Sequence, residues 1–248
     1  MTVLISGASS GIGAALASHY ALKNYNLILL ARSEDKLQNL KEQLQTSSNF
    51  VDIYIIDLTD FDALHELAKK IDIKYNKIDI IILNAGISIG HSAEITPFKE
   101  FKKLYDTNVL SVHALLEPLI HSMKKHHGSK VVFISSLASI ISMPSSVAYS
   151  SSKRSLNAYA EGLRYQLKKY GIKVITILPG FIDTPLTQKN QFKMPFFMSL
   201  DNGVKEIVGA IERGKRVYAF PKRFYFLIKL TTLLPQFMRD KIVSKVYK

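Results

Sequence analysis

Tyr149 and Lys153 stand four residues apart, and Ser136 lies thirteen residues before Tyr149, just after the apolar run Val131-Val132-Phe133-Ile134. On a helix, positions i and i+4 share a face, so the ammonium of Lys153 can sit near the Tyr149 phenol and favour its ionised form. A phenol with a reference pKa of about 10 is otherwise too weak an acid to work near neutrality. Ser136, leaving a strand, is placed to meet the same substrate oxygen from a second direction. The chemistry this trio suits is proton transfer on or off an oxygen. A Tyr and a Lys at helical spacing also read as an ordinary surface pair.

A second group of residues could hold a phosphate. Val3 to Ile5 form a β-prone run, followed by Ser6-Gly7-Ala8-Ser9-Ser10-Gly11-Ile12-Gly13 and a helix-prone segment from Ala14 to Leu22. Glycines in such a turn let the backbone approach a diphosphate, while the free N–H groups and dipole of the helix start favour negative charge. The spacing Gly-x-x-x-Gly-x-Gly departs from the dinucleotide fingerprint Gly-x-Gly-x-x-Gly, and a plain turn is the alternative. Tyr25 to Ala31 reads as a second buried strand ending in Arg32-Ser33. An NAD-preferring chain would place an acid there for the ribose hydroxyls. An arginine can pair with a 2′-phosphate, so NADP(H) is favoured over NAD(H). Arg32 merely capping the sheet edge is the alternative.

The elements that must position these groups alternate strand and helix. Strands are expected near residues 2–6, 25–31, 51–56, 78–83, 130–135, 173–178 and 216–220. Helices fill the intervals, with Thr96 and Pro97 as a cap and first-turn proline, and Gly214 closing a helix that starts near Asn202. Runs such as Ile78-Asp79-Ile80-Ile81-Ile82-Leu83 lack period-two alternation, which suits strands covered on both faces. The expectation is an α/β fold: a doubly wound parallel sheet of seven strands flanked by helices on both faces, in one domain over residues 1–248.

The motifs arrive in a telling order: Gly7-Gly11-Gly13, Asp57-Leu58 after the third strand, Asn84-Ala85-Gly86 after the fourth, Asn108, Ser136, Tyr149 with Lys153, then Pro179-Gly180 and Thr184. In this the chain resembles the short-chain dehydrogenase/reductase family from Ser6 to about Pro221. The resemblance implies a Rossmann fold and hydride transfer between a nicotinamide and a carbonyl or alcohol carbon. It implies a catalytic set of Asn108, Ser136, Tyr149 and Lys153. Tyr149 would be acid in reduction and base in oxidation, and Lys153 would lower its pKa and bond the nicotinamide ribose. Ser136 would bond the substrate oxygen, and Asn108 would hold a water linking Lys153 to solvent. The interval to Tyr149 matches Ser136, with Ser135 as its rival. The implied cofactor contacts are Gly7, Ser9, Ser10, Gly11, Ile12, Gly13, Arg32, Ser33, Asp57, Leu58, Asn84, Ala85, Gly86, Tyr149, Lys153, Pro179, Gly180, Ile182 and Thr184. The family often has glycine where Ser139 stands, so this loop is expected to be shaped slightly differently.

The resemblance also places a lid over residues 186–200, where Phe192, Met194, Pro195, Phe196, Phe197 and Met198 imply an apolar substrate; ordinary core packing is the alternative. It pairs the helices from about Phe101 to Lys125 and from Ser150 to Lys169 between subunits, so a homodimer or homotetramer is expected. A ketoacyl-thioester reductase meeting an acidic carrier protein, and a non-catalytic NADP(H)-sensing scaffold, are the competing functions.

Composition narrows these further. The absence of cysteine excludes disulfides and thiolate zinc sites, and the seven histidines show no zinc-protease spacing, so no metal is expected. No apolar run is long enough to span a bilayer, and the N-terminus enters a core strand at once; a cytoplasmic protein without a signal peptide is expected. The net charge is +13, of which residues 222–248 carry seven bases against Asp240. No nucleic-acid-reading motif accompanies this charge. The same tail holds Phe224 to Ile228 and Leu230 to Leu234. It reads as a peripheral contact with an anionic membrane, as a cover for the pocket, or as a surface against a partner subunit.

Overall fold

The computed structural model describes residues 1–48, 50–89, 95–190 and 192–247. Gln191 of the expected lid and Lys248 of the tail lie outside the described residues. The unalternated apolar runs become strands with a core on each side. They are β1 (Thr2–Ser6), β2 (Asn26–Ala31), β3 (Val51–Ile55), β4 (Ile80–Leu83), β5 (Lys130–Ile134), β6 (Lys173–Pro179) and β7 (Val217–Phe220). All neighbours pair in parallel, in the order β3-β2-β1-β4-β5-β6-β7. β4 begins two residues later than expected because Asp79 works as a connector: its carboxylate accepts from Thr2 N at 2.7 Å and its carbonyl from Lys130 N at 2.9 Å.

The helices are α1 (Gly11–Ala21), α2 (Glu34–Leu44), α3 (Phe61–Tyr75), α4 (Phe98–Tyr105), α5 (Ser111–Met123), α6 (Val147–Leu167), α7 (Leu200–Glu212), α8 (Lys222–Thr232) and α9 (Gln236–Tyr247). Alternate strand residues face opposite layers. Val3, Ile5, Ile80 and Ile82 pack with Leu16 of α1, Leu37 of α2 and Ile207 of α7. Leu4, Ile81 and Phe133 pack with Leu64 of α3, Leu119 of α5 and Leu156 of α6. Truncating such a fully buried residue, for example Ile81→Ala, removes about 2–5 kcal/mol.

Two helix starts differ from expectation. α4 begins at Phe98, with Pro97 as its cap and not its first turn, since Pro97 has an extended ψ of 141° while its carbonyl already accepts from Phe101 N. α7 begins at Leu200, because the Ser199 hydroxyl accepts from Asn202 N at 3.4 Å and starts the helix earlier. Gly214 closes α7 with φ +63°.

Candidate active site

β1 pairs with β2 on one side and β4 on the other, so the strand order reverses at β1, the connections leave to opposite sides, and a crevice opens at the carboxyl ends of β1 and β4. The loops after β1 and β4 are stitched together there. The Asn84 side chain donates to the carbonyls of Ser6 and Gly7, both at 3.1 Å, and the Ser6 hydroxyl accepts from Asn84 N at 3.1 Å and Ala85 N at 3.2 Å. Gly7 has φ +66°, and a Cβ on it would lie 2.8 Å from Ala85 Cα. A Cβ on Gly13 would lie 2.3 Å from the Gly7 carbonyl oxygen, so the first turn of α1 packs directly on the loop. Ser10 caps α1 without a side-chain hydrogen bond, and the first turn carries no acid. Its N–H groups therefore face an approaching anion with no competing carboxylate in that turn. Ser9 is half-buried, and Ile12 packs against the core beneath.

At the end of β2, Arg32 Nη1 lies 3.6 Å from Asp57 Oδ2, with the arginine side chain 71% exposed. Thr59 donates to the Asp57 carboxylate from its backbone and its hydroxyl, at 2.9 and 2.8 Å. These bonds, with the nearby guanidinium, hold Asp57 below the usual carboxylate range. Ser33 caps α2 and is exposed, and Leu58 packs on the α3 side of the sheet.

Ser136, Tyr149 and Lys153 converge from the end of β5 and from α6. Ser136 caps a short 3₁₀ turn, its hydroxyl accepting from Ala138 N at 3.1 Å, and it faces the Tyr149 hydroxyl so as to favour the ionised phenol. Ser135 turns inward and donates to the Lys153 carbonyl at 3.2 Å, away from Tyr149. Lys153 is buried, its Nζ donating to the Ile134 carbonyl at 3.0 Å and lying 5.9 Å from the Tyr149 ring centre. The expected lowering of the Tyr149 pKa is not what this arrangement produces. Burial pushes the phenol up to about 12, against the opposing bond from Ser136. Burial also brings the Lys153 ammonium down to about 8. At 5.9 Å, with a proton committed to Ile134, the ammonium is outweighed by desolvation.

Asn108 sits in a π-helical turn (Asp106–Leu110) between α4 and α5, fully buried. Its Oδ1 accepts from Ile87 N at 2.8 Å, and its Nδ2 donates to Ile87 O at 3.0 Å and Ser152 Oγ at 3.1 Å. Both amide hydrogens are thus used and one acceptor position remains. A Cβ on Gly86 would lie 3.3 Å from Asn108 Oδ1 and 3.2 Å from Lys153 Nζ, so the β4 loop brings the phosphate-loop side and the trio into one crevice.

The loop after β6 closes the far wall. Gly180 N donates to Phe220 O at 2.7 Å, tying Pro179-Gly180 to β7. Ile182 is buried and bridges to Met198, and Thr184 stands 3.3 Å from the Cβ position of Gly11. Beyond it, Phe181 lies 5.7 Å from Phe192 and 6.0 Å from Phe224 of α8, and Phe196 stacks on Phe224 at 5.5 Å. Part of the segment expected as a lid and the inner face of the tail therefore pack as one aromatic cluster. A cleft of about 470 Å³, lined by Phe61, His65, Leu110 and His113, opens instead on the outer surface of α3 and α5, away from the trio.

Ser6, Ser139, Arg154 and Asn157 also shape the site, through hydrogen bonds that no motif marks. Ser139 stood out in the sequence only by replacing the family's frequent glycine. It is buried; its hydroxyl donates to Ser136 O and accepts from Asn157 Nδ2, and its carbonyl accepts from Arg154 Nε.

Comparison with known proteins agrees with this geometry. The family model described as short chain dehydrogenase matches residues 1–194. A Myxococcus xanthus protein described as an uncharacterized oxidoreductase is 31% identical over 245 residues, covering 99% of this chain and 97% of its own. Dehydrogenase/reductase SDR family member 7B of Xenopus laevis is 35% identical over 191 residues, covering 75% of this chain and 59% of its own. Among solved structures, a short-chain dehydrogenase from Sphingobium yanoikuyae in complex with NADPH superposes with a TM-score of 0.81 at 26% identity, covering 95% of this chain and 96% of that one.

Proposed function

The chain belongs to the short-chain dehydrogenase family of oxidoreductases, and from that premise we propose that it uses NADP(H) to interconvert a carbonyl and a secondary alcohol on an apolar substrate, with Tyr149 carrying the proton. The observation that carries the proposal is the meeting of Tyr149, Ser136 and Lys153 in the same crevice as the Gly7–Gly13 loop, joined through Gly86.

The crevice fits such a cofactor: its loop cradle leaves no room for a Cβ at Gly7 or Gly13, and the start of α1 is free of acid. Gly7, Ser9, Ser10, Gly11, Ile12 and Gly13 would hold the diphosphate. Arg32 and Ser33 would hold the 2′-phosphate, consistent with the NADPH of the Sphingobium relative. Asp57, Leu58 and Asn84 to Gly86 would line the adenosine side, and Pro179, Gly180, Ile182 and Thr184 the nicotinamide side. Bound NADPH supplies the hydride.

The protein's part is positioning and proton handling. Tyr149, kept protonated by burial, donates to the substrate oxygen as charge develops there, and Ser136 steadies that oxygen through its hydroxyl. Lys153 stands behind Tyr149 for the nicotinamide ribose, and the free acceptor position of Asn108 suits a water in a relay to Lys153. The aromatic cluster of Phe181, Phe192, Phe196 and Phe224 favours an apolar substrate. The outer faces of α5 and α6, with Tyr165 exposed, are the proposed contact between copies.

The test is NADPH oxidation against ketones graded by chain length, with Tyr149→Phe beside the intact protein. Turnover should rise with apolar length and fall about 10²–10⁴-fold in the variant while NADPH binding is kept. Full activity in Tyr149→Phe would remove the assigned proton donor.

A further inference from the structure

α8 is apolar on two opposite sides. Phe224, Tyr225 and Ile228 turn inward onto Leu137, Leu178 and Ala219. Phe226, Leu227 and Leu230 turn outward, and Leu233, just past the helix, continues their row at 73% exposure. Phe237 at the start of α9 is 71% exposed. A helix on a water-facing surface normally offers polar residues there, so this outward row calls for a cover. The bases around it say which kind. Lys222, Arg223 and Lys229 on α8 and Arg239, Lys241 and Lys245 on α9 stand against a single acid, Asp240. A second copy docking on itself through this face would set these like charges opposite one another. An anionic lipid surface takes both the apolar row and the bases.

We propose that the outward face of α8 and the start of α9 dock on anionic membranes, lying in the interface and not crossing it. Among the described residues no helix is long and apolar enough to cross a bilayer. α8 spans eleven residues, about 16 Å at helical rise, which suits a helix lying flat. Its inner side is the Phe224 cluster that closes on Phe181 and Phe196. Docking therefore sets the rim of the crevice about one helix diameter, ~10 Å, from the lipid. Only the corollary that an apolar substrate enters from the bilayer rests on the reaction proposed above; docking itself does not.

The experiment is flotation of the full chain with vesicles of phosphatidylcholine, alone or mixed with phosphatidylserine. It is repeated with the double variants Phe226→Ser/Leu230→Ser and Arg223→Glu/Lys229→Glu. The intact chain should float with the anionic vesicles, and each variant should partition about tenfold less. Solution mass and NADPH oxidation with a water-soluble ketone should be unchanged in both variants. Failure of the intact chain to float, or equal flotation of intact chain and variants, overturns the proposal. So does a fall in solution mass in Phe226→Ser/Leu230→Ser, which would make the row an interface between copies. Flotation that holds while every form lacks ketone reduction leaves docking standing and removes the reaction instead.

Discussion

The Ser139 hydroxyl donates to the main-chain carbonyl of Ser136 at 2.6 Å, fastening the loop that carries one of the proposed reacting hydroxyls. The same oxygen accepts from Asn157 Nδ2 at 2.7 Å, while Arg154 donates to the carbonyls of Ser139 and Ile140 at 2.9 and 2.8 Å. The Ser136 loop is thus clamped to the turn of α6 that follows Lys153. Ser139→Ala removes one hydroxyl and leaves both Ser136 O and Asn157 Nδ2 without this partner, at a cost of about 1–3 kcal/mol. Chemical denaturation should register that loss. Steady-state kinetics should show kcat falling more than KM rises, because Ser136 loses its aim and not its presence. An unchanged kcat would reduce Ser139 to loop packing.

Arg32 and Asp57 form an exposed pair at 3.6 Å, a geometry worth only about 0–1 kcal/mol, so little holds the guanidinium against leaving for a 2′-phosphate. Charge-assisted bonds to that phosphate contribute about 1.5–3 kcal/mol. Arg32→Glu should therefore weaken NADPH binding roughly 10- to 100-fold, and NADH should gain relative to it. Titration of both cofactors by their fluorescence measures the ratio. A ratio that does not move would place the 2′-phosphate elsewhere.

Tyr149, raised to about 12 by burial, is protonated throughout the neutral range in the free protein. It can donate at once in reduction but must first lose its proton to act as a base. For alcohol oxidation, kcat/KM should rise about tenfold per pH unit from neutrality toward about 10, while kcat/KM for ketone reduction stays flat over that range. Paired pH profiles check this. A plateau in the oxidation limb below about pH 8 would point to a base of lower pKa than the phenol.

Much of this was legible because local and long-range requirements coincide. Apolar runs such as Leu27 to Leu30 and Ile80 to Leu83 can be satisfied only by a strand covered on both sides, and the glycines at 7 and 13 answer to one loop. What could not be read depends on the packing of distant segments. The π turn at Asp106–Leu110 has no local code, yet it lies where Asn108 reaches Ile87 and Ser152. The upward shift of Tyr149 follows from how deeply α6 is buried, which the four-residue spacing to Lys153 does not record. In the tail, Phe224 and Phe226 are alike in type; only the docking of α8 on Leu137 and Leu178 makes one inward and the other outward.

Burial of Lys153 ties the site to stability, and the sign can be worked out. Burial holds its folded pKa at about 8 against the ordinary lysine value of 10.5. Below about pH 8 both states carry the proton, and the cost of burying the ammonium is fully present. Between about 8 and about 10.5 the unfolded chain holds more protons than the folded one, so stability rises with pH across that window. Tyr149 acts in the opposite sense, since its raised pKa erodes stability as pH climbs from 10.0 to about 12, which leaves the lysine window nearly clear. From about pH 7.5 to about pH 9.5 the lysine contribution should amount to about 2 kcal/mol. Urea denaturation of the intact protein and of Lys153→Met at the two pH values isolates it, because every other titrating group is common to both. The intact protein should gain stability relative to Lys153→Met as pH rises. Parallel behaviour of the two proteins would mean that the ammonium is better solvated than its place beneath Tyr149 implies.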